Sequence, residues 1–157
     1  MKSKLSATKT PDRKNRGKKL EEPGSTTVKR VFIVEDHPVL RETLVQIVSR
    51  EKDLTVCGQA SAARQAFKAV GRVKPDLVLV DITLPGKSGL ELVKELRAVD
   101  RKIKLLVVSM HDGALYADKA LHAGGNGYLR KQGNPEELIR AIRDTLDGRI
   151  FVSKDVG

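Results

Sequence analysis

Residues 77–91 read Leu77-Val78-Leu79-Val80-Asp81-Ile82-Thr83-Leu84-Pro85-Gly86-Lys87-Ser88-Gly89-Leu90-Glu91. The opening apolar run is too short for a helix and does not alternate, as expected of a strand buried on both faces. An acid, Asp81, follows it. Pro85-Gly86 marks a turn, and Ser88 with Glu91 three residues later forms a capping-box signature that opens a helix reaching about Val99. A strand, a polar rim residue and an amphipathic helix thus follow one another within some 23 residues.

The same phrase recurs from Val31 onward. Short β-branched or apolar runs stand at Val31–Val34, Leu54–Cys57, Leu105–Val108 and Gly127–Leu129. Between them, Pro38–Arg50 places Leu40, Leu44, Ile47 and Val48 on one helical face, and Ser61–Val73 does so with Ala62, Ala66, Ala69 and Val70. Ala114–Ala123 predicts a further helix, closed by Gly124, Gly125 and Gly127. Asn134-Pro135-Glu136-Glu137 supplies an N-cap, a first-turn proline and first-turn acids, and Gly148 is placed to stop that last helix. Five strands alternating with five helices predict parallel pairing through right-handed crossovers, an α/β sandwich of three layers.

Charge divides the 157 residues unevenly. Residues 1–30 hold ten basic and three acidic side chains, whereas residues 31–157 hold twenty and seventeen. The first segment has no aromatic residue and too little apolar area to offset its ordering entropy, so a disordered basic N-terminal tail is expected over residues 1–28. Lys14, Arg16, Lys18 and Lys19 in it make at most a weak contact with nucleic acid, and solvation alone is the commoner role of such a run. Five aromatics in the whole chain argue against a base-stacking platform. The longest apolar run is four residues, far below the ~20 of a membrane span, and no apolar segment follows the basic start as in a secretory signal. The single cysteine, Cys57, fits a reducing cytosol and reads as a small core residue of the second strand.

In parallel α/β sheets, ligands bind beyond the carboxyl ends of the strands. Strand one is followed by Glu35-Asp36, strand three by Asp81, strand four by Ser109, and strand five runs into Arg130-Lys131. Neighbouring carboxylates repel, so one takes a proton or a cation sits among them. Oxygen-only donors select a hard ion, Mg²⁺ before zinc. A carboxylate beside such an ion can act as a nucleophile on phosphorus, with an ammonium neutralising the phosphoryl oxygens. Asp81, on the central strand, is the expected acceptor; Glu35 and Asp36 hold the metal, and Lys131 reaches the phosphoryl group. His37 starts the Pro38 helix rather than serving as a ligand. Gly124-Gly125-Asn126-Gly127 lacks dinucleotide-binding spacing.

Glu35-Asp36-His37-Pro38, the Asp81–Gly89 segment, Ser109 and Gly127-Tyr128-Leu129-Arg130-Lys131 together resemble response-regulator receiver domains over about residues 29–152. His37-Pro38 and Pro135-Glu136-Glu137-Leu138 are most similar to receivers attached to LuxR/FixJ-type DNA-binding domains. The resemblance implies a flavodoxin-like, five-stranded parallel sheet of order 2-1-3-4-5. It implies a sensor histidine kinase as phosphoryl donor, a homodimer on phosphorylation and a cytoplasmic protein with no membrane contact. It also implies direct coordination of Mg²⁺ by Asp36, mostly water-mediated coordination by Glu35, and a ligand from the Thr83 backbone carbonyl. Ser109 would bond the phosphoryl group, and Tyr128 would rotate inward behind it. From the residues alone, Ser109 could instead cap the next turn, and Tyr128 could be a half-wet edge aromatic.

Two departures stand out. Gln132 occupies the place of the proline that follows the lysine in many receivers, and no cis bond is expected there. After the receiver, residues 153–157 form only a stub, so no output domain is expected within these residues. Output then passes through protein contact, or through a LuxR-type DNA-binding half of which this is the input. An aspartyl phosphohydrolase of the haloacid-dehalogenase type would want an acid at position 83; Thr83 stands there, so slow self-dephosphorylation is the most enzymatic behaviour expected.

Overall fold

The computed structural model describes residues 27–110, 114–131 and 134–153. Nearly all of the basic tail, residues 154–157 of the stub and the Lys131–Gln132 linkage lie outside the described residues. Eleven elements follow in order: β1 (Lys29–Val34), α1 (Pro38–Ser49), β2 (Leu54–Ala60), α2 (Ala63–Val73), β3 (Leu77–Asp81), α3 (Gly89–Val99), β4 (Lys104–Ser109), α4 (Ala114–His122), β5 (Gly127–Arg130), α5 (Pro135–Leu146) and β6 (Phe151–Val152). The sheet order is β2-β1-β3-β4-β5-β6, with every pairing parallel. Within it stands the expected 2-1-3-4-5 arrangement. The sixth strand is an addition: two residues carry no readable period.

Successive side chains of each strand enter opposite faces, and the two faces carry separate cores. Phe32, Val34, Val78, Val80, Leu105, Val107 and Tyr128 pack with α2, α3 and α4. Val31, Ile33, Leu77, Leu79, Leu106, Val108 and Leu129 pack with α1 and α5. Each fully buried Val, Leu or Ile contributes about 1.5–3 kcal/mol, and this two-sided burial explains why the strand sequences do not alternate.

Local signals fix the ends. Ser88 Oγ accepts the Glu91 N–H at 3.2 Å while Glu91 Oε1 accepts the Ser88 N–H at 3.0 Å, so the capping box is closed on both sides. Asn134 Oδ1 accepts the Glu137 N–H at 2.8 Å. Helix α5 ends in a Schellman turn: Gly148 adopts φ +89°, its N–H donates to Thr145 O at 3.1 Å, and Arg149 N–H donates to Asp144 O at 3.0 Å.

Among the boundaries that differ from the sequence reading, two have a local cause. Strand β2 runs on to Ala60 because a bulge lets it: Val31 pairs with Val56 and Phe32 with Gly58, leaving Cys57 as the extra residue. Cys57 is accordingly only half-buried against the core, with its thiol pKa raised chiefly by desolvation. Helix α2 begins at Ala63, not Ser61; Gln65 Oε1 accepts the Ser61 N–H at 3.1 Å in place of a side-chain cap.

Candidate functional site

The register of the central strands assembles the rim. Val34 pairs with Val80, which brings the next residues, Glu35 and Asp81, to the same level; Asp81 pairs with Val108, and Ser109 with Arg130. Ligand oxygens of Glu35, Asp36 and Asp81 come within 4.8 Å of one another. Glu35 and Asp81 are buried, whereas Asp36 is exposed. Between the two buried acids lies Lys131, its side chain 7% exposed, with Nζ 2.8 Å from Glu35 Oε1 and 3.2 Å from Asp81 Oδ2.

Each group is held by its backbone surroundings. Asp81 Oδ1 accepts the Thr83 N–H at 3.1 Å. Glu35 Oε2 accepts the His37 N–H at 3.2 Å, and the Glu35 N–H donates to Ala60 O at 3.0 Å. His37 does start α1: its Nδ1 accepts the Leu40 N–H at 3.4 Å. Gly89 lies so close beneath the acid that a Cβ there would stand 2.0 Å from Asp81 O. The Lys131 N–H donates to Ser109 O at 2.9 Å.

Burial raises the Asp81 pKa, and the neighbouring Glu35 charge raises it further; the Lys131 ammonium and the Thr83 amide offset only part of this, leaving Asp81 pushed up to about 6. Two carboxylates beside one ammonium, with a third acid at the edge, form an electron-rich pocket. Glu35 Oε1 lies buried 2.8 Å from the Lys131 ammonium, and a carboxylate oxygen with two lone pairs can still meet a cation from the cavity. An all-oxygen donor set of this kind fits Mg²⁺. The cavity, about 690 Å³, opens past Asp36 and Thr83 and is edged by Val39, Leu40, Thr43 and Met110.

Of the residues singled out from the sequence, Glu35, Asp36, Asp81, Thr83 and Lys131 line this one cavity. Ser109 is fully buried at the end of β4, bound to Lys131 through its carbonyl. Tyr128 is fully buried, which removes the half-wet edge reading; β6 covers the flank of β5 that would have been open. Sequence reasoning missed Arg41, whose Nη1 donates to Glu35 O at 2.8 Å while its Nε donates to Gln59 Oε1 at 3.1 Å. An arginine in a helix gives no signal of a carbonyl on a neighbouring strand.

The model of the response regulator receiver domain matches residues 31–143 of the chain. The protein belongs to the receiver-domain family. Within that family this receiver is of the LuxR/NarL type. The nitrate/nitrite response regulator NarL of Escherichia coli K12 is 33% identical over 124 residues, covering 79% of this chain and 57% of NarL. The transcriptional regulatory protein DesR of Bacillus subtilis is 36% identical over 119 residues, covering 76% of this chain and 59% of DesR. The receiver therefore spans less than two thirds of the length of these curated relatives. Among crystal structures, a LuxR-family two-component response regulator from Aurantimonas sp. SI85-9A1 superposes with a TM-score of 0.80 at 36% identity, covering 82% of this chain and 92% of that one. A LuxR-family DNA-binding response regulator from Staphylococcus aureus superposes at 0.71 and 28% identity, covering 76% and 99%. A phosphoacceptor role, Mg²⁺ in an acidic pocket and signalling rather than enzymatic turnover are typical of receivers. Among the described residues, no helix is long and apolar enough to cross a membrane.

Proposed function

We propose that Asp81 accepts a phosphoryl group from the phosphohistidine of a sensor kinase in the cytoplasm, and that residues 29–152 are the unit that responds. An Asp81 oxygen forms the new O–P bond as the N–P bond to the kinase imidazole breaks, and the imidazole leaves with the electron pair. The observation that carries this reading is the pairing of buried Asp81 with Lys131, 3.2 Å apart, inside a cluster of three carboxylates. Lys131 stabilises charge developing on the phosphoryl oxygens. Ser109, at the next strand end, bonds the transferred group, and Tyr128, already buried behind it, carries the change into the core. Asp36, Glu35, Asp81 and the Thr83 carbonyl would hold Mg²⁺, which when bound neutralises the incoming phosphoryl oxygens.

Phosphorylation adds about −1.5 to −2 charge beside Lys131, and the receiver then alters a protein-contact face, with homodimerisation as one outcome. The matches to NarL and DesR, the latter a transcriptional regulator, support a second reading in which this receiver is the input half of a DNA-binding protein. Turnover beyond slow self-dephosphorylation is not part of either reading, and the basic tail adds at most weak nucleic-acid contact. Incubation with Mg²⁺ and acetyl or carbamoyl phosphate, followed by intact mass, tests the central step. One added phosphoryl group in the wild type and none in Asp81→Asn is the expected result; indistinguishable masses would overturn the reading.

A further inference from the structure

The segment following α5 returns to the flank of β5, where Phe151 pairs with Gly127 and Val152 with Tyr128. Just beyond, Ser153 is buried (2% exposed) and makes two bonds to the same strand. Its N–H donates to Tyr128 O at 3.1 Å, and its Oγ accepts the Arg130 N–H at 2.9 Å. The backbone just before Lys131 is thus clasped on one side by Ser153, while the Lys131 N–H is tied on the other side to Ser109 O at 2.9 Å. Strand β5 is four residues long, and the Lys131 side chain leaves its end through an enclosed path to Glu35 and Asp81.

From this we infer that Ser153 is a positioning residue for Lys131: its hydroxyl fixes the end of β5 so that the ammonium stands between the two buried acids. The inference rests on Lys131 acting in phosphoryl acceptance at Asp81. A hydroxyl that merely ended the sheet would protect its edge without setting the place of a side chain across the strand. Coupling between two sites is reciprocal. Whatever draws Lys131 tighter into the acid cluster therefore tightens β6 on β5, and the acid site is felt at the strand that follows α5.

The test compares the wild-type chain with Ser153→Ala and Ser153→Thr. Labelling by acetyl phosphate at saturating Mg²⁺ is followed by intact mass, Mg²⁺ affinity by titration, and amide hydrogen exchange at Lys131 by mass spectrometry or NMR. Ser153→Ala is expected to label about threefold to tenfold more slowly, the span of one neutral hydrogen bond. Its Mg²⁺ dissociation constant stays within about twofold of wild type, Lys131 exchange rises, and Ser153→Thr restores rate and protection. Equal labelling rates for wild type and Ser153→Ala would overturn the inference. So would joint loss of labelling and Mg²⁺ affinity that threonine does not restore, since that marks general damage. If the wild type takes no phosphoryl group, the acceptor reading fails by itself; the exchange data still judge the clasp, and unchanged protection at Lys131 in Ser153→Ala refutes it.

Discussion

Lys131 stands closer to Glu35 (2.8 Å) than to Asp81 (3.2 Å), so the two buried acids share one counter-ion and the aspartate holds the weaker portion. Neither acid is fully compensated, and the cluster is built to gain from an additional positive charge.

Removing the shared ammonium should expose that imbalance. Lys131→Ala leaves two buried carboxylates without their shared cation, a loss of about 3–5 kcal/mol by the measure of broken buried ion pairs. Urea unfolding with the metal chelated is expected to show it. Millimolar Mg²⁺ should recover part of the loss, because a ligand bound only by the folded state stabilises it by about 2.7 kcal/mol at a hundred times its dissociation constant.

Asp81→Asn should move stability the other way. Asp81 has an ordinary pKa of 3.8 and is raised to about 6 in the fold. The folded chain therefore binds this proton more tightly than the unfolded chain, and the group's contribution to stability falls as pH rises from about 4 to 6. At pH 7.5 the penalty stands near 3 kcal/mol, from about 1.36 kcal/mol per pH unit. With metal chelated, the asparagine variant is expected to unfold at higher urea than wild type at pH 7.5 and to lose that advantage near pH 4. A wild type that is the more stable of the two at pH 7.5 without metal would contradict it.

The same shift sets the acid limit of metal uptake. Below pH 6 a protonated Asp81 must release its proton to bind a cation, so Mg²⁺ affinity should fall about tenfold per pH unit between pH 5.5 and 4.5. Titration across that range, monitored by calorimetry, checks it.

Two glycines should answer alanine in opposite directions. At Gly89 a Cβ would meet Asp81 O at 2.0 Å and Ile82 Cα at 2.9 Å, so Gly89→Ala is expected to displace Asp81, weaken Mg²⁺ binding and cost about 1–3 kcal/mol. At exposed Gly71, inside α2, a Cβ meets nothing within 4 Å, and Gly71→Ala should stabilise by about 0.5–1 kcal/mol. Thermal melts of both variants provide the comparison.

Much of the site was legible because its signals are local. Asp81 follows an apolar run, Ser88 and Glu91 stand three apart, Asn134-Pro135 announces a helix, and the rim rule then gathers Glu35, Asp36, Ser109 and Lys131. What stayed hidden depends on contacts across long sequence separations. Cys57 falls in a bulge because β1 and β2 slip register, and no composition marks that slip. The sixth strand, which pairs with β5 on its outer side, has two residues, too few to show a period. The raised pKa of Asp81 depends on the depth of the site and on the nearness of the Glu35 charge, neither of which a strand-end position specifies.

Tyr128 and Leu129 are consecutive, yet one belongs to the core shared by α2, α3 and α4 and the other to the core shared by α1 and α5. The sheet thus works as a partition between two hydrophobic compartments, with the acids and the lysine gathered at its strand ends. If Tyr128 relays phosphorylation as proposed, a disturbance on its side would loosen one compartment while the other stays packed. The molecule would then present a changed surface on half its circumference and keep the opposite half as a rigid frame.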